Sequence, residues 1–346
     1  MGSIELSTQS TSLYFTAERE VEVRQEQLPK LQAGEVLVQT RFSAISPGTE
    51  MLIYRGEMPK AMQADAGIAA LQGELEYPLK YGYSSVGEVI DVGKVVDKDW
   101  FGRKVFAFNP HESRFIAEPQ HLQVVPDGIE FEDAVFLPNV ETAVNFVMDG
   151  NPRLAEQVIV LGQGIVGLLT TALLAHHPLS NLLTFDRYEN RRAISIELGS
   201  HHSFAPDDLE LALKELGSNK EYPHADLVYE LSGTPQALDL AIELAGFDSR
   251  VVIGSWYGEK RAPIDLGGRF HQNRIQLISS QVSTLTPTLQ GRWNKSRRFN
   301  TAWEMLRRIQ PSRFITQRFP ITDAAQAYKL LNEKPDEAIQ VIFEYA

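Results

Sequence analysis

The chain has 346 residues, a formal net charge of −12 at pH 7 and no cysteine. The length suits two domains, and the acidic balance weighs against a nucleic-acid partner, which needs a basic surface. The lack of cysteine excludes disulfides, thiolate metal sites and thiol nucleophiles. The N-terminus has neither the basic nor the apolar region of a signal peptide, so we expect a cytoplasmic protein.

The first part of the chain carries short strand-like runs separated by turn signals. These runs cover residues 35–40, 87–93 and 104–108. Their spacing predicts a compact, mostly β domain over residues 1–138. Within it, Lys60 to Glu76 is rich in Ala, Met, Leu and Gln with apolar residues at helical spacing, which predicts a short inserted helix.

From about Asn151 the pattern changes to strand-like runs that alternate with helical stretches. The runs cover residues 158–161, 182–185, 226–231, 250–253 and 275–279. Such alternation predicts βαβ units, a parallel sheet and therefore an α/β fold, in a domain over residues 139–290. The uncharged run 158–175 is nearly long enough to span a membrane. Its glycines favour a strand, a turn and a helix instead, so we expect no membrane partner.

The sharpest motif lies inside this run. The apolar strand leads directly into Gly162-Gln163-Gly164-Ile165-Val166-Gly167, and an apolar helix follows. In a G-x-G-x-x-G turn the first glycine permits the tight turn, the second lets the backbone approach a pyrophosphate, and the third lets helix and strand pack closely. The dipole at the helix start then favours the phosphate charge.

An acidic residue follows the next strand at the spacing expected of a dinucleotide site. Asp186 lies about 20 residues beyond the last glycine, where a carboxylate can bind both ribose hydroxyls and repel a 2′-phosphate. This favours NAD(H) over NADP(H) as cofactor, although the adjacent Arg187 leaves NADP(H) open. The alternatives are a glycine turn that binds no nucleotide and a site for S-adenosylmethionine.

With these motifs, the chain resembles the medium-chain dehydrogenase/reductase superfamily along nearly its whole length. Gly82-Tyr83-Ser84-Ser85-Val86-Gly87-Glu88-Val89 falls where the family has G-H-E-x-x-G-x-V, and Ser232 to Pro235 and Arg250 to Gly254 are similar to its later Rossmann half. The resemblance implies a doubly wound Rossmann sheet plus a mostly β GroES-like catalytic domain, which residues 291–346 complete. It also implies a homodimer or homotetramer.

Within the superfamily, the string Ile45 to Pro59 is similar to a subgroup that includes bacteriochlorophyllide dehydrogenases. Zinc-dependent members place Cys, His and a third Cys or Glu around a catalytic metal. The positions that match here are Pro47, Tyr83 and Pro138. Because proline offers no ligand and a lone phenol is a poor zinc site, we expect no zinc, unless other His or carboxylate residues rebuild a metal site.

Without zinc, side chains must polarise the oxygen that reacts. By the resemblance, Thr49 matches the hydroxyl that relays protons in alcohol dehydrogenases, Glu50 matches the acid beside it, and Tyr83 takes a metal-ligand position. His111, in a polar loop, and His271, expected on the nicotinamide side of the sheet, are further catalytic candidates. The alternatives are Thr49 as a turn residue bonded to its own backbone and His111 as a solvated surface residue.

Further cofactor contacts are expected from the family pattern, near the nicotinamide, the adenosine ribose or the later strand ends. These positions are Thr142, Arg191, Ser232, Gly254, Ser255, Trp256, Ser280 and Gln281. Glu141 fits the first-turn acid of a helix, and the basic cluster Gly291 to Arg298 fits a solvated face better than an anion site.

These features predict an enzyme that interconverts an alcohol and a carbonyl on a small or medium organic substrate, using NAD(H) and a hydroxyl or imidazole group instead of zinc. One alternative is an enone reductase that acts on a conjugated C=C bond. Another, of a different class, is a dinucleotide-binding protein without catalysis.

Overall fold

A computed structural model describes residues 9–59, 75–217 and 223–346. The chain divides into two compact units, Met1–Pro138 with Gln310–Ala346, and Asn139–Ile309. The helix predicted over Lys60 to Glu76 falls almost wholly on residues 60–74, outside the described residues. Within the part that the structure describes, no helix has the length and apolar character needed to cross a membrane.

Fifteen strands and ten α-helices are described along the chain. In the first unit they are β1 (Gln9–Ala17), β2 (Glu20–Gln27), β3 (Val36–Ala44), α1 (Thr49–Tyr54), β4 (Ser85–Val92), β5 (Lys104–Ala107), β6 (Arg114–Ala117), β7 (Leu122–Val124) and α2 (Phe131–Ala134). The next helix, α3 (Leu137–Gly150), begins just before the boundary at Pro138 and continues into the second unit. The second unit continues with β8 (Gln157–Leu161), α4 (Ile165–Leu174), β9 (Asn181–Phe185), α5 (Glu189–Glu197), β10 (His202–Phe204), α6 (Leu209–Gly217), β11 (Ala225–Glu230), α7 (Ala237–Leu244), β12 (Ala245–Ile253), α8 (Arg269–Gln272), β13 (Gln276–Ser279) and α9 (Lys295–Ile309). The last part of the chain, which belongs to the first unit again, forms β14 (Ile315–Pro320), α10 (Ala324–Glu333) and β15 (Gln340–Glu344).

The first unit is built on a seven-stranded sheet. Its order is β14-β15-β3-β4-β5-β7, with β6 also paired to β3. Gly87 of β4 lies opposite Thr40 of the neighbouring strand β3. A Cβ there would come 2.2 Å from the Gln39 carbonyl oxygen, so only glycine fits. Because β15 pairs with β3, with Ile342 opposite Ala44, the C-terminal strand completes this sheet. The unit is mostly β, as predicted.

The second unit is a six-stranded sheet of order β10-β9-β8-β11-β12-β13, and each neighbouring pair is parallel. The chain starts in the middle at β8, runs outward to β10, then crosses to β11 and runs outward on the other side. This is the doubly wound Rossmann topology, whose strand order reverses between β8 and β11. All five residues of β8 are buried, as expected of a parallel strand covered on both faces.

One boundary differs from the sequence prediction. We expected the chain to return to the first unit at residue 291, but α9 belongs to the second unit and the return begins at Gln310. The physical reason is Arg298, which is wholly buried and pairs with Glu141 of α3 at 2.8 Å. The interpretation of the basic cluster as a solvated face is therefore wrong for Arg298.

Candidate functional site

Two glycines of the G-x-G-x-x-G turn are required by the packing of the second unit itself. Gly162 has a φ of +90°, and a Cβ there would lie 2.6 Å from the Ser232 Cα. A Cβ on Gly167 would lie 1.9 Å from the Gly162 carbonyl oxygen. These positions hold glycine whether or not a nucleotide binds, because the turn and the start of α4 leave no room for a side chain.

Gly164 is different, since its own chain does not require a glycine. Its φ of −68° suits any residue, and within 4 Å of an added Cβ the described part of the chain brings only the Arg191 Nη1, at 3.9 Å. Gly164 directly precedes α4, whose start has no side-chain cap. The missing side chain therefore keeps the backbone open at a helix N-terminus, where an anion binds favourably.

The remaining positions of the turn face inward. Gln163 is fully buried; its Nε2 donates to the Gly162 carbonyl at 3.1 Å, and its Oε1 accepts from the Thr171 hydroxyl at 3.0 Å. Ile165 is buried, and Val166 packs against a core cluster. At Gln163 and Ile165 only the backbone is left to face a ligand.

Asp186 follows β9 and is tied to the glycine turn. Its Oδ2 accepts from the Gln163 N–H at 2.7 Å, and its Oδ1 accepts from the Tyr188 N–H at 2.8 Å. A carboxylate offers about four acceptor sites, so each oxygen keeps capacity for a ribose hydroxyl. The guanidinium groups of Arg187 and Arg191 lie 6.0 and 4.8 Å from the centre of the Tyr188 ring.

Beyond the turn, a buried carboxylate that sequence reasoning missed organises the end of β11. Glu230 is fully buried and accepts from the Ser232 N–H at 2.8 Å, the Ser232 hydroxyl at 2.5 Å and the Tyr257 hydroxyl at 2.5 Å. Burial, with the Glu230 charge, raises the pKa of Tyr257 above its usual value, which keeps its hydroxyl a donor. The sequence feature that could have revealed Glu230 was an acidic residue at the end of an apolar strand.

The ends of β12 and β13 carry the other predicted contacts except Thr142, which lies on α3. Gly254 is needed by packing, since a Cβ would come 2.3 Å from the Phe146 ring, whereas Ser255 accepts from the Gly233 N–H at 2.8 Å. The Ser280 hydroxyl donates to Asp149 at 2.5 Å. The three other predicted contacts are not fully buried, Gln281 being exposed and Thr142 and Trp256 half-buried.

His271 is separated from these residues. It lies exposed in α8, which directly precedes β13, and the neighbouring Arg269 donates to the carbonyl of Ala245 at the start of β12. Because the strands are parallel, their starts and their ends lie at opposite edges of the sheet. The expectation that His271 lies on the nicotinamide side is therefore wrong.

In the first unit, three hydroxyl groups meet where β3 leads into α1. The Tyr83 hydroxyl donates to Ser46 Oγ in a short hydrogen bond, and it lies 3.4 Å from Thr49 Oγ1. All three residues are half-buried. The structure thus brings Thr49 and Tyr83 together as candidates and adds Ser46, for which the sequence had given no signal.

Glu50 and His111 lie behind this cluster, in the interior. His111 is wholly buried, with Nε2 2.9 Å from Glu50 Oε2 and Nδ1 2.7 Å from Ser43 Oγ, so the alternative of a solvated His111 is wrong. The Glu50 carboxylate also accepts from the Tyr328 hydroxyl at 2.5 Å and from the Ser46 N–H at 2.8 Å. Neither residue reaches the surface, and the Glu50 carboxylate holds the start of α1 through the Ser46 N–H.

This buried pair makes a prediction for stability. Replacing Glu50 by Ala removes the acceptor of three buried donors and leaves them unpaired. We expect Glu50→Ala to lower the free energy of unfolding by about 3–5 kcal/mol, measured by urea denaturation. The control is Glu20→Ala, at an exposed residue, which should change it by less than about 0.5 kcal/mol. A loss below about 1 kcal/mol for Glu50→Ala would show that the network does not anchor α1.

The residues at the family's zinc positions do not fit a zinc ion. Pro47 and Pro138 offer no ligand atom, and the Tyr83 hydroxyl is bonded to Ser46. His111 has both ring nitrogens in hydrogen bonds, which leaves no lone pair for a metal. Among residues 9–59, 75–217 and 223–346, no group of three His, Asp or Glu side chains is arranged to hold a metal ion.

Comparison with known proteins agrees with this fold. No protein-family model matches the chain. The D-guloside 3-dehydrogenase of Escherichia coli K12 is 24% identical over 290 residues, covering 79% of this chain and 81% of that enzyme. A zinc-type alcohol dehydrogenase-like protein of the same strain is 26% identical over 224 residues, covering 64% of this chain and 60% of that protein.

Solved structures extend the likeness to the whole chain. An alcohol dehydrogenase of Escherichia coli CFT073, complexed with NADH, superposes with a TM-score of 0.78 at 19% identity, covering 98% of this chain and all of that one. The similarity in sequence and in fold is to the medium-chain alcohol dehydrogenase-like superfamily. The predicted fold class, a Rossmann sheet with a GroES-like domain, is confirmed.

Proposed function

We propose that the chain is an NAD(H)-dependent oxidoreductase of the medium-chain superfamily that interconverts an alcohol and a carbonyl. The observation that carries this is Gly164, a glycine that its own fold does not need, beside the start of α4 and next to the Asp186–Gln163 bond. These features fit a pyrophosphate at Gly164 and a ribose at Asp186. The preference for NAD(H) rests on the Asp186 carboxylate, which repels a 2′-phosphate.

When bound, the nicotinamide ring supplies the hydride acceptor or donor, so the protein must handle only the proton on the substrate oxygen. In our proposal the Tyr83 hydroxyl turns its single proton from Ser46 Oγ to the carbonyl oxygen when substrate binds. The hydroxyls of Ser46 and Thr49 then donate to the Tyr83 oxygen and hold it in place. Such donors stabilise the negative charge that develops on oxygen as hydride reaches the carbon. Glu50 and His111 are positioning residues, because they fix α1 and thereby Thr49.

We also propose that this chemistry needs no zinc. The support is the donor set: two prolines at ligand positions, a phenol already bonded to Ser46, and an imidazole with both nitrogens engaged. The hydroxyl groups then replace the Lewis acid. Since a relative of similar length acts on a sugar glycoside, a hydroxyl-rich substrate such as a sugar derivative or polyol is the class to try first.

The test is a panel of sugar glycosides, polyols and simple secondary alcohols, with NAD⁺ reduction followed by absorbance and products identified by mass and NMR. We expect at least one alcohol to yield its ketone with one NADH formed. A product that has lost or gained a C=C bond instead would favour the enone reductase. Tight NADH binding without turnover of any substrate would favour the non-catalytic binding protein.

The same assay tests the independence from zinc. We expect elemental analysis to find well below one zinc per chain, and we expect dialysis against EDTA to leave the rate within about two-fold of the untreated enzyme, because no metal polarises the oxygen. An untreated aliquot carried through the same dialysis without chelator is the control. Full zinc occupancy with activity lost on chelation and restored by zinc would contradict the proposal.

A further inference from the structure

The largest wholly buried side chain described in the structure belongs to Arg298, on α9. All five of its N–H groups are used. They donate to Glu141 Oε1 from Nε at 3.0 Å and from Nη2 at 2.8 Å, to Asn145 Oδ1 at 2.6 Å, and to the carbonyls of Thr284 at 3.1 Å and Val282 at 2.5 Å. A buried, fully bonded guanidinium of this kind has a fixed position, because moving it would break several charge-assisted hydrogen bonds.

These bonds join two parts of the second unit that are far apart in sequence. Glu141 and Asn145 lie on α3, whereas Val282 and Thr284 lie in the loop after β13. Arg298 bonds that loop through the backbone carbonyls of Val282 and Thr284, so these two bonds do not depend on which side chains stand there. The amino acids at 282 and 284 could change and the anchor would remain.

The Ser280 side chain forms a second hydrogen-bonded link between the loop after β13 and α3. Its hydroxyl donates to Asp149 Oδ2 at 2.5 Å and accepts from Asn145 Nδ2 at 3.0 Å. Asn145 therefore bonds both Ser280 and Arg298. The result is one buried polar network that fixes the backbone from Ser280 to Thr284 against α3.

The loop leaves the sheet at the edge where the candidate dinucleotide site lies. Ser280 follows the end of β13, and Gly162, Asp186 and Gly254 follow the ends of β8, β9 and β12. A sheet of this topology has two mononucleotide-binding halves, one on each side of the reversal in strand order. The adenosine half falls to β8 and β9 with Asp186, so the strand ends of β11 to β13 serve the other nucleotide.

We infer that Arg298 is a positioning residue for the nicotinamide half of the dinucleotide, through its hold on the Ser280–Thr284 backbone. This rests on the proposed function, since it needs a dinucleotide at the glycine turn. The backbone of this loop is held rigid before the cofactor arrives, which lowers the entropy lost on binding. Arg298 itself is buried and touches no cofactor.

The test compares two ligands that share the adenosine half. NADH spans both halves, whereas ADP-ribose lacks the nicotinamide ring. Arg298→Lys keeps the charge beside Glu141, but an ammonium cannot reproduce five N–H donors in a planar fork. We expect calorimetry to show NADH affinity reduced about ten-fold and ADP-ribose affinity changed less than about two-fold, from the loss of one or two hydrogen bonds to the loop.

The control is Arg308→Lys, at an exposed arginine on the same helix, which should leave both affinities unchanged. If Arg298→Lys weakens both ligands equally, or weakens neither, the inference is overturned. If Arg298→Lys does not fold, Asn145→Ala serves the same comparison, since it removes one bond to Arg298 and one to Ser280. An unmodified protein that binds neither ligand overturns the proposed function itself, which keeps the two failures distinct.

Discussion

Gly164→Ala should leave the protein folded and abolish most of its dinucleotide binding. Its φ of −68° suits alanine, and among the residues that the structure describes an added methyl meets only the Arg191 Nη1, at 3.9 Å. We therefore expect the free energy of unfolding to stay within about 1 kcal/mol of the unmodified protein, with a small gain possible from the lower entropy of the unfolded chain. The methyl would stand where the pyrophosphate must approach, so we expect NADH affinity to fall about 100-fold.

Gly167→Ala is the matched comparison, with the same substitution three residues away. Its Cβ would lie 1.9 Å from the Gly162 carbonyl oxygen, so α4 would have to move off the sheet. We expect a loss of about 3 kcal/mol or more in urea denaturation. If Gly164→Ala instead binds NADH as tightly as the unmodified protein, the glycine turn does not face a pyrophosphate.

Tyr83→Phe should lower kcat by about 100-fold while the protein stays folded. The change removes the hydroxyl that we propose to bond the reacting oxygen, and loss of one such donor has this order of effect. Tyr83 is half-buried and its ring remains in the variant, so packing is kept. The affinity for NADH, measured by calorimetry, should change less than about two-fold, because Tyr83 is assigned to the substrate oxygen and not to the dinucleotide.

Tyr14→Phe is the control for this prediction. Tyr14 is also a half-buried tyrosine of the first unit, and its hydroxyl donates to Glu26 at 2.5 Å instead of to Ser46. It should retain full kcat. An equal loss of kcat in both variants would indicate a general effect on the first unit. Full activity in Tyr83→Phe would mean that another group donates the hydrogen bond to the reacting oxygen.

The fold was predictable from sequence because its signals are local. The strand-like runs of the second unit overlap β8, β9, β11, β12 and β13. The signal is clearest in β8, which is buried throughout and apolar after Gln157, as expected of a parallel strand covered on both faces. The return to the first unit was placed 19 residues early, at 291 instead of Gln310. The error came from Arg298, because a cluster of basic residues gives no sign that one of them is buried against a carboxylate from α3.

The candidate site was predictable only where a motif fixes the backbone. Gly162, Gly167 and Asp186 take the expected places because a short strand–turn–helix dictates them. The histidines were misjudged, since burial of His111 depends on Glu50 and Ser43, which lie more than 60 residues away in the chain. Ser46 and Glu230 were missed because each has one partner that lies far away in the chain: Tyr83 bonds Ser46 from 37 residues away, and Tyr257 bonds Glu230 from 27 residues away.

Titration calorimetry of the unmodified chain with NADH and with NADPH tests the central proposal most directly. We expect saturable heat from NADH at one site per chain and weaker binding of NADPH, because the Asp186 carboxylate accepts ribose hydroxyls and repels a 2′-phosphate. Absence of binding heat from both dinucleotides, under conditions where the protein is folded, would contradict it.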